Sequence, residues 1–157
     1  MVIQQLITSF IASASFGVLF NVPKNRLIQG GISGAVGWIS YFQLVEKGID
    51  SVAASLIASV IIGIIGQIFA RIYKMPVIIF NVAGIIPLVP GGLAYDAMRH
   101  LVVNDYGMAL QLGAKAFLIS GGIAVGLITS EVLKRILIPT KKTQPVNIEE
   151  NIPKNKH

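Results

Sequence analysis

The chain has 157 residues, of which 54% are hydrophobic and 13% are charged, and its mean hydropathy is +0.72. Soluble domains carry about 25% charged residues, so this composition excludes an ordinary soluble protein and indicates an all-α membrane protein. The net charge of +6 comes from short loops and a tail, which argues against nucleic-acid binding and for a membrane topology governed by the positive-inside rule.

Five apolar segments follow one another along the chain, at residues 2–20, 27–45, 51–70, 76–103 and 108–133. Each reaches about 20 residues, the length of a helix that crosses the hydrocarbon core. The first segment has no basic stretch before it and no clear cleavage site after it, so we expect a retained helix and not a signal peptide. The sequence therefore predicts about five transmembrane helices.

Basic residues follow the first, third and fifth spans, whereas the other two connections are neutral or acidic. The basic residues are Lys24, Arg26, Arg71, Lys74, Lys134, Arg135, Lys141 and Lys142. Because basic loops remain in the cytoplasm, we predict that the N-terminus is outside and the C-terminus inside. Trp38, Tyr41 and Phe42 are then expected to form an outer aromatic belt, with Tyr73 at the inner face.

The predicted organisation is one transmembrane helical bundle, residues 1–138, and a cytoplasmic tail, residues 139–157. The tail is rich in proline and polar residues and has almost nothing to bury, which predicts disorder. The whole chain is thus expected to be a multi-pass protein of the cell membrane, either a bacterial inner membrane or a plasma membrane.

The fourth span is interrupted in its middle by the sequence PLVPGG. Pro87 and Pro90 lack a backbone N–H and disfavour helix at the preceding residue, and Gly91 and Gly92 allow conformations that other residues avoid. Broken backbone at membrane depth is tolerated where it is buried in protein or lines a polar cavity, and transporters place substrate sites there. We therefore predict a transport subunit whose fourth span is a full but broken crossing.

The second half of this span is expected to begin near Gly91. The N–H groups of Gly91, Gly92 and Leu93 would then be free, at the positive end of the helix dipole. Such a site suits a small carboxylate-bearing substrate. The alternative is that the glycines only permit a tight helix crossing.

Ionisable residues follow the break. Asp96, Arg99 and His100 share one helical face, and we predict that Asp96 is a proton or cation site and Arg99 an anion contact. The alternative is a neutralised pair near the outer interface, with Arg99 extended toward water. Lys115 lies within the last span and is predicted to point into protein, where it pairs with an aspartate, Asp96 or Asp105, or binds a substrate carboxylate.

Small residues recur at helical spacing in the first three spans, and they predict faces where helix backbones pack closely. They are Ser9, Ser13 and Gly17, then Gly30, Gly34 and Gly37, then Ser55, Ser59 and Gly63. Gln67 and Asn81 are expected to form hydrogen bonds between helices. Because five spans are few for a transporter built from two repeats, we expect a second membrane subunit or a homo-oligomer.

The segment GIIPLVPGGLAYDAM, in the fourth span of a small five-helix protein with a glycine-rich last span, resembles the threonine/serine exporter family, specifically its small YjjB-type membrane subunit. The resemblance covers residues 1 to about 138. It implies secondary transport, with export of threonine and serine or of dicarboxylates such as succinate, driven by the proton gradient. It also implies a YjjP-type partner subunit. The proposed site residues, which include Pro87 and Gly92, rest on physical grounds and not on the family.

Two other classes of protein compete with an exporter. Residues 31–34 read GxSG, as at the nucleophile of rhomboid intramembrane proteases, but His100 is the only histidine in the spans and a glycine stripe explains the same residues. A membrane scaffold or assembly protein without transport activity is the other alternative. We therefore predict a protein that is not an enzyme. We expect no cofactor or metal, and the lack of cysteine excludes thiolate ligands.

Overall fold

The computed structural model describes residues 2–137, which form six α-helices and contain no strand. The helices are α1 (Val2–Leu19), α2 (Leu27–Glu46), α3 (Ser51–Tyr73), α4 (Val77–Ile85), α5 (Gly91–Val102) and α6 (Tyr106–Leu137). Short 3-10 turns at Lys24–Arg26 and Ile86–Leu88 precede α2 and follow α4. The predicted tail, residues 139–157, lies outside the described part of the chain.

Local sequence signals account for where α3 begins and ends. The side chain of Asp50 accepts a hydrogen bond of 2.9 Å from the backbone N–H of Val52 and so satisfies one of the unpaired donors of the first turn. At the other end, Lys74 adopts a left-handed conformation with φ of 53°, and Pro76 prevents the helix from continuing. The result is a helix of 23 residues, long enough to cross a bilayer.

Helices α1 and α2 pack as an antiparallel pair. Near the start of α1, Gln5 bonds to Trp38 in the second half of α2, and near its end Gly17 lies against Leu27. The Nε1–H group of Trp38 donates to Oε1 of Gln5 over 2.7 Å, so the polar atom of the indole is satisfied inside the bundle. This bond fixes the register of the first two helices.

Helices α3 and α6 run parallel to each other. Ser55 lies against Gly122 and Ser59 against Gly126, so positions advance in the same direction along both helices. Helix α4 runs antiparallel to α3, because later residues of α4 meet earlier residues of α3. Asn81 lies against Gly66, and Phe80 contacts Phe69 edge-on at 5.7 Å between ring centroids. The bent α4–α5 pair fits either a broken span or a re-entrant segment, so the full crossing stays a prediction.

The chain is confirmed as an all-α membrane protein. Helices α1, α3 and α6 are each long and apolar enough to cross a bilayer, and the bent α4–α5 pair adds a fourth candidate if it is one span. Helix α2 has 20 residues but is not among these candidates, because glycine, serine and glutamine dilute its apolar residues. Five membrane crossings, and their orientation, therefore remain predictions.

The predicted small-residue faces are confirmed as packing faces. All three predicted positions in each of α1, α2 and α3 are buried. Serines of one helix lie against glycines of the next, as Ser13 does at Gly34 and Ser130 at Gly63. Close approach of the backbones supplies the van der Waals contact on which helix association in lipid depends.

Candidate functional site

The PLVPGG break is present and has a defined geometry. Helix α4 ends at Ile85, a 3-10 turn that contains Pro87 follows, and Val89 is extended with φ of −60° and ψ of 126°. Helix α5 then starts at Gly91, with Pro90 before it, and its axis is turned by 51° from that of the preceding segment. Pro87 and Pro90, three residues apart, thus end one helix and let another begin in a new direction.

The break lies at the centre of the bundle. Leu88, in the middle of PLVPGG, is buried in a cluster with Ala58, Ile62, Ile119 and Ile123. Ile62 is the middle residue of α3, and the two other isoleucines lie in the middle of α6. The irregular backbone is therefore half-way between the two ends of the helices that surround it.

The N-terminus of α5 opens away from the rest of this chain. Gly91 and Gly92 are exposed, and a methyl group added to either would meet no atom of the described chain within 4 Å. The alternative, that these glycines only permit a tight helix crossing, is therefore not met among residues 2–137. Their surface is open to a molecule outside the described chain.

The prediction of free N–H groups at the break is partly wrong. The N–H of Gly91 donates to the carbonyl of Val89 over 2.8 Å, because Pro90 between them, with φ of −77° and ψ of 50°, has the conformation of an inverse γ-turn. The N–H groups of Gly92 and Leu93 have no backbone acceptor within residues 2–137. Two donors, and not three, are thus left for a ligand at the positive end of α5.

A small crevice with several polar side chains in its lining also touches the break, at Pro87. It has a volume of about 190 Å³ and is lined by Gln5, Thr8, Ser9, Ala12, Trp38 and Pro87. Ser9 is a predicted packing residue, whereas Gln5 and Thr8 are not among the predicted site residues. Their spacing of three and four residues, which aligns polar groups on one face of α1, was the available signal. Their proximity to Pro87 depends on the tertiary structure.

Asp96 and Arg99 form the pair that their spacing predicts. Nε of Arg99 lies 3.8 Å from Oδ1 of Asp96, and the two side chains are 63% and 48% exposed. His100 is not part of this group, because its Nδ1 contacts Oδ2 of Asp105 at 3.0 Å. The structure thus brings together Asp96 and Arg99 about two turns after the break and directs His100 to the following loop.

Lys115 does not point into this chain, contrary to the prediction. It is exposed, and none of the ion pairs among residues 2–136 includes it, so it pairs with neither Asp96 nor Asp105. The adjacent Ala116 is buried and faces the other helices. Gly122, seven residues after Lys115 on the same helical face, packs against Ser55, which is only four residues after α3 begins, so Lys115 lies beyond the part of α6 that α3 covers.

The two uncharged polar residues behave differently from each other. Nε2 of Gln67 donates to the carbonyl of Ser130 over 2.8 Å, which confirms the predicted hydrogen bond between helices. Asn81 packs against Gly66 as close helix contact requires, but its buried Oδ1 accepts no hydrogen bond within the described residues. The prediction of an interhelical hydrogen bond is therefore not met at Asn81.

Ser33 of the GxSG sequence and His100 do not form a nucleophile–base pair. Ser33 is buried against Gly84, and its Oγ has no hydrogen-bond partner within the described residues. His100 contacts Asp105 instead. Within residues 2–137, no group of histidines and carboxylates has the arrangement of a metal site.

No solved structure matches this chain. The model of one family, described as "Threonine/Serine exporter, ThrE", matches residues 5–133. The match covers most of the chain, including every helix that surrounds the break and the break itself. The chain therefore belongs to the threonine/serine exporter family of membrane transporters.

Proposed function

We propose that this chain is the membrane subunit of a secondary exporter for threonine and serine, or for dicarboxylates such as succinate, and that it works with a second membrane subunit of the YjjP type. The observation that carries the proposal is the broken helix at the centre of the bundle, where Leu88 is buried and α5 begins at an open Gly91. Family membership supports the general activity, and the broken helix supports our proposal that transport takes place there.

The break provides groups that fit a carboxylate. The N–H groups of Gly92 and Leu93 lie at the positive end of the dipole of a helix of 12 residues, and no side chain caps them. Free N–H groups at a helix N-terminus bind carboxylates and phosphates. Threonine, serine and succinate share the carboxylate, so this end of α5 would bind any of them.

The open side of the break supports a partner subunit. In lipid, each unsatisfied backbone donor costs several kcal/mol, and non-helical backbone persists only against protein or a water-filled cavity. No atom of residues 2–137 lies within 4 Å of a methyl group built on Gly91 or Gly92. A second subunit that covers this surface would enclose a polar cavity in which the two N–H donors face the substrate. A homo-oligomer that covers the same surface is the alternative assembly.

Asp96 is the residue that we propose for proton coupling. It lies five positions after Gly91, or about 7.5 Å along the helix, and is the first carboxylate after the break. Because the Asp96 side chain is partly exposed, its carboxylate would be accessible from the cavity that we propose between the two subunits. Protonation would release Arg99 from its pair with Asp96 and change the charge beside the substrate.

Efflux from cells tests the proposed function. Cells that lack this chain and its partner are loaded with threonine, serine or succinate, and release is measured after either subunit or both are restored. We expect export of at least one of these solutes only when both subunits are present, at equal membrane expression. Release by this chain alone would overturn the two-subunit proposal, and no release by the pair would favour a scaffold without transport activity.

A further inference from the structure

A second surface of the molecule, away from the break, has the features of a ligand site. A groove of about 360 Å³ lies between α3 and α6, toward the C-terminal ends of both helices. Its volume falls within the roughly 300–1,000 Å³ of ligand pockets. Its apolar walls are formed by Ile64, Ile68, Ile72 and Leu133.

Two cations stand at one end of this groove because α3 and α6 are parallel. Gln67 and Ser130 are joined across the helices by a hydrogen bond of 2.8 Å. Arg71 and Lys134 each follow one of these residues by four positions, so both lie one turn further in the same direction. Both line the groove.

The positive charge at this end is only partly neutralised. Lys134 lies 3.9 Å from Oε1 of Glu131, and Arg135 lies 3.7 Å from the same carboxylate. Arg71 has no ion pair within the described residues and is exposed. This end of α3 and α6 therefore carries three cations and one carboxylate, Glu131, which pairs with two of them. The groove combines apolar walls with an excess of positive charge at this end.

We propose that this groove binds an anionic phospholipid, with an acyl chain along the isoleucines and the phosphate between Arg71 and Lys134. Long basic side chains near helix ends extend toward the headgroup region, and basic pockets between transmembrane helices bind anionic headgroups. A helix of a partner protein would also bury the isoleucines, but it would leave the two cations at the rim unmatched. Charge complementarity therefore favours the lipid.

Native mass spectrometry of the full chain in a neutral detergent tests this proposal. The protein is titrated with phosphatidylglycerol and, separately, with phosphatidylcholine of the same acyl chains. Each basic side chain near an anionic surface contributes about five-fold in affinity, so R71Q with K134Q should weaken phosphatidylglycerol binding by about 25-fold. The double variant should bind phosphatidylcholine as the unmodified chain does.

Two further variants separate the groove from general charge attraction. K24Q removes the same charge at the connection between α1 and α2, and it should leave phosphatidylglycerol binding unchanged. I68W fills the groove without a change of charge and should abolish tight binding. The proposal is overturned if both lipids bind equally, if K24Q weakens binding as much as the groove variants do, or if I68W leaves binding intact, which would assign the groove to a partner helix.

Discussion

Serine side chains occupy the space that glycines leave open on neighbouring helices. Ser59 fits against Gly126, and its hydroxyl donates to the carbonyl of Leu56 in its own helix over 2.8 Å. The polar atom is thus satisfied within the helix, while the small side chain lets α3 and α6 approach each other. Both residue types are needed at such a contact, since a larger side chain on either helix would separate the backbones.

Two glycines on α6 provide a matched test of this packing. A methyl group at Gly126 would lie 2.5 Å from the carbonyl oxygen of Leu56, whereas one at Gly121 would meet nothing within 4 Å. Gly126→Ala should therefore lower the free energy of unfolding by about 1–3 kcal/mol, as overpacking does. Gly121→Ala should be neutral or stabilising, because alanine favours helix. Thermal unfolding in detergent gives both values, and equal effects would contradict the packing account.

The Asp96–Arg99 pair gives a second prediction at this scale. Exposed ion pairs contribute about 1 kcal/mol or less, so Asp96→Asn should leave the thermal stability nearly unchanged. Export should nevertheless fall at least ten-fold, because the amide keeps the size of the side chain but cannot bind and release a proton as a carboxylate does. Efflux and thermal stability are measured on the same membrane preparations.

The control for this prediction is Arg99→Ala combined with Asp96→Asn. If Asp96 only neutralises Arg99, removing both charges restores export. If Asp96 couples protons, the double variant stays inactive. Full export by the single Asp96→Asn variant would remove Asp96 from the proposed mechanism.

At the scale of elements, helix bounds and packing faces could be predicted from the sequence because each depends on local pattern. The predicted start of the third span at Ser51 is the observed start of α3, and the packing stripe through Ser55 and Ser59 is buried. The exposure of Lys115 could not be predicted, because spacing shows that it shares a face with the packed Gly122 but not how far α3 extends along α6. The crevice at Pro87 was missed because it is assembled from three separate segments.

The break in the fourth span follows from proline chemistry and should be removable. With Pro87→Ala and Pro90→Ala, the N–H groups of Gly92 and Leu93 can donate to the carbonyls four residues earlier, so α4 and α5 should become one helix. Hydrogen–deuterium exchange at these two amides should then slow strongly. Unchanged exchange at both amides would show that surrounding packing, and not proline, maintains the break.

At the scale of the whole molecule, the alternation of helix directions gathers the basic connections at one end. The guanidinium of Arg26 lies 4.0 Å from the centroid of the Tyr73 ring, which joins the connection before α2 to the end of α3. Arg71 and Lys134 meet at this end through the parallel packing of α3 and α6. By the positive-inside rule, this end is expected in the cytoplasm.

Single cysteines test this orientation cleanly, because the chain contains no cysteine of its own. A cysteine at Asp50 should react with a membrane-impermeant thiol reagent added outside intact cells. A cysteine at Lys74 should react only after the membrane is permeabilised. The reverse pattern would place the N-terminus inside and contradict the predicted topology.

We expect the broken helix to form the permeation site together with a partner subunit, in a chain that belongs to a family of exporters. The most direct test is efflux of labelled threonine and succinate from proteoliposomes that contain both subunits, with either the unmodified chain or the variant that carries Pro87→Ala and Pro90→Ala. At matched protein content, we expect export by the unmodified pair and loss of at least nine-tenths of that export in the variant. The reason is that a continuous helix removes the free N–H donors at Gly92 and Leu93. Undiminished export by the double-proline variant would show that the broken helix is not the permeation site and would leave PLVPGG as a packing feature.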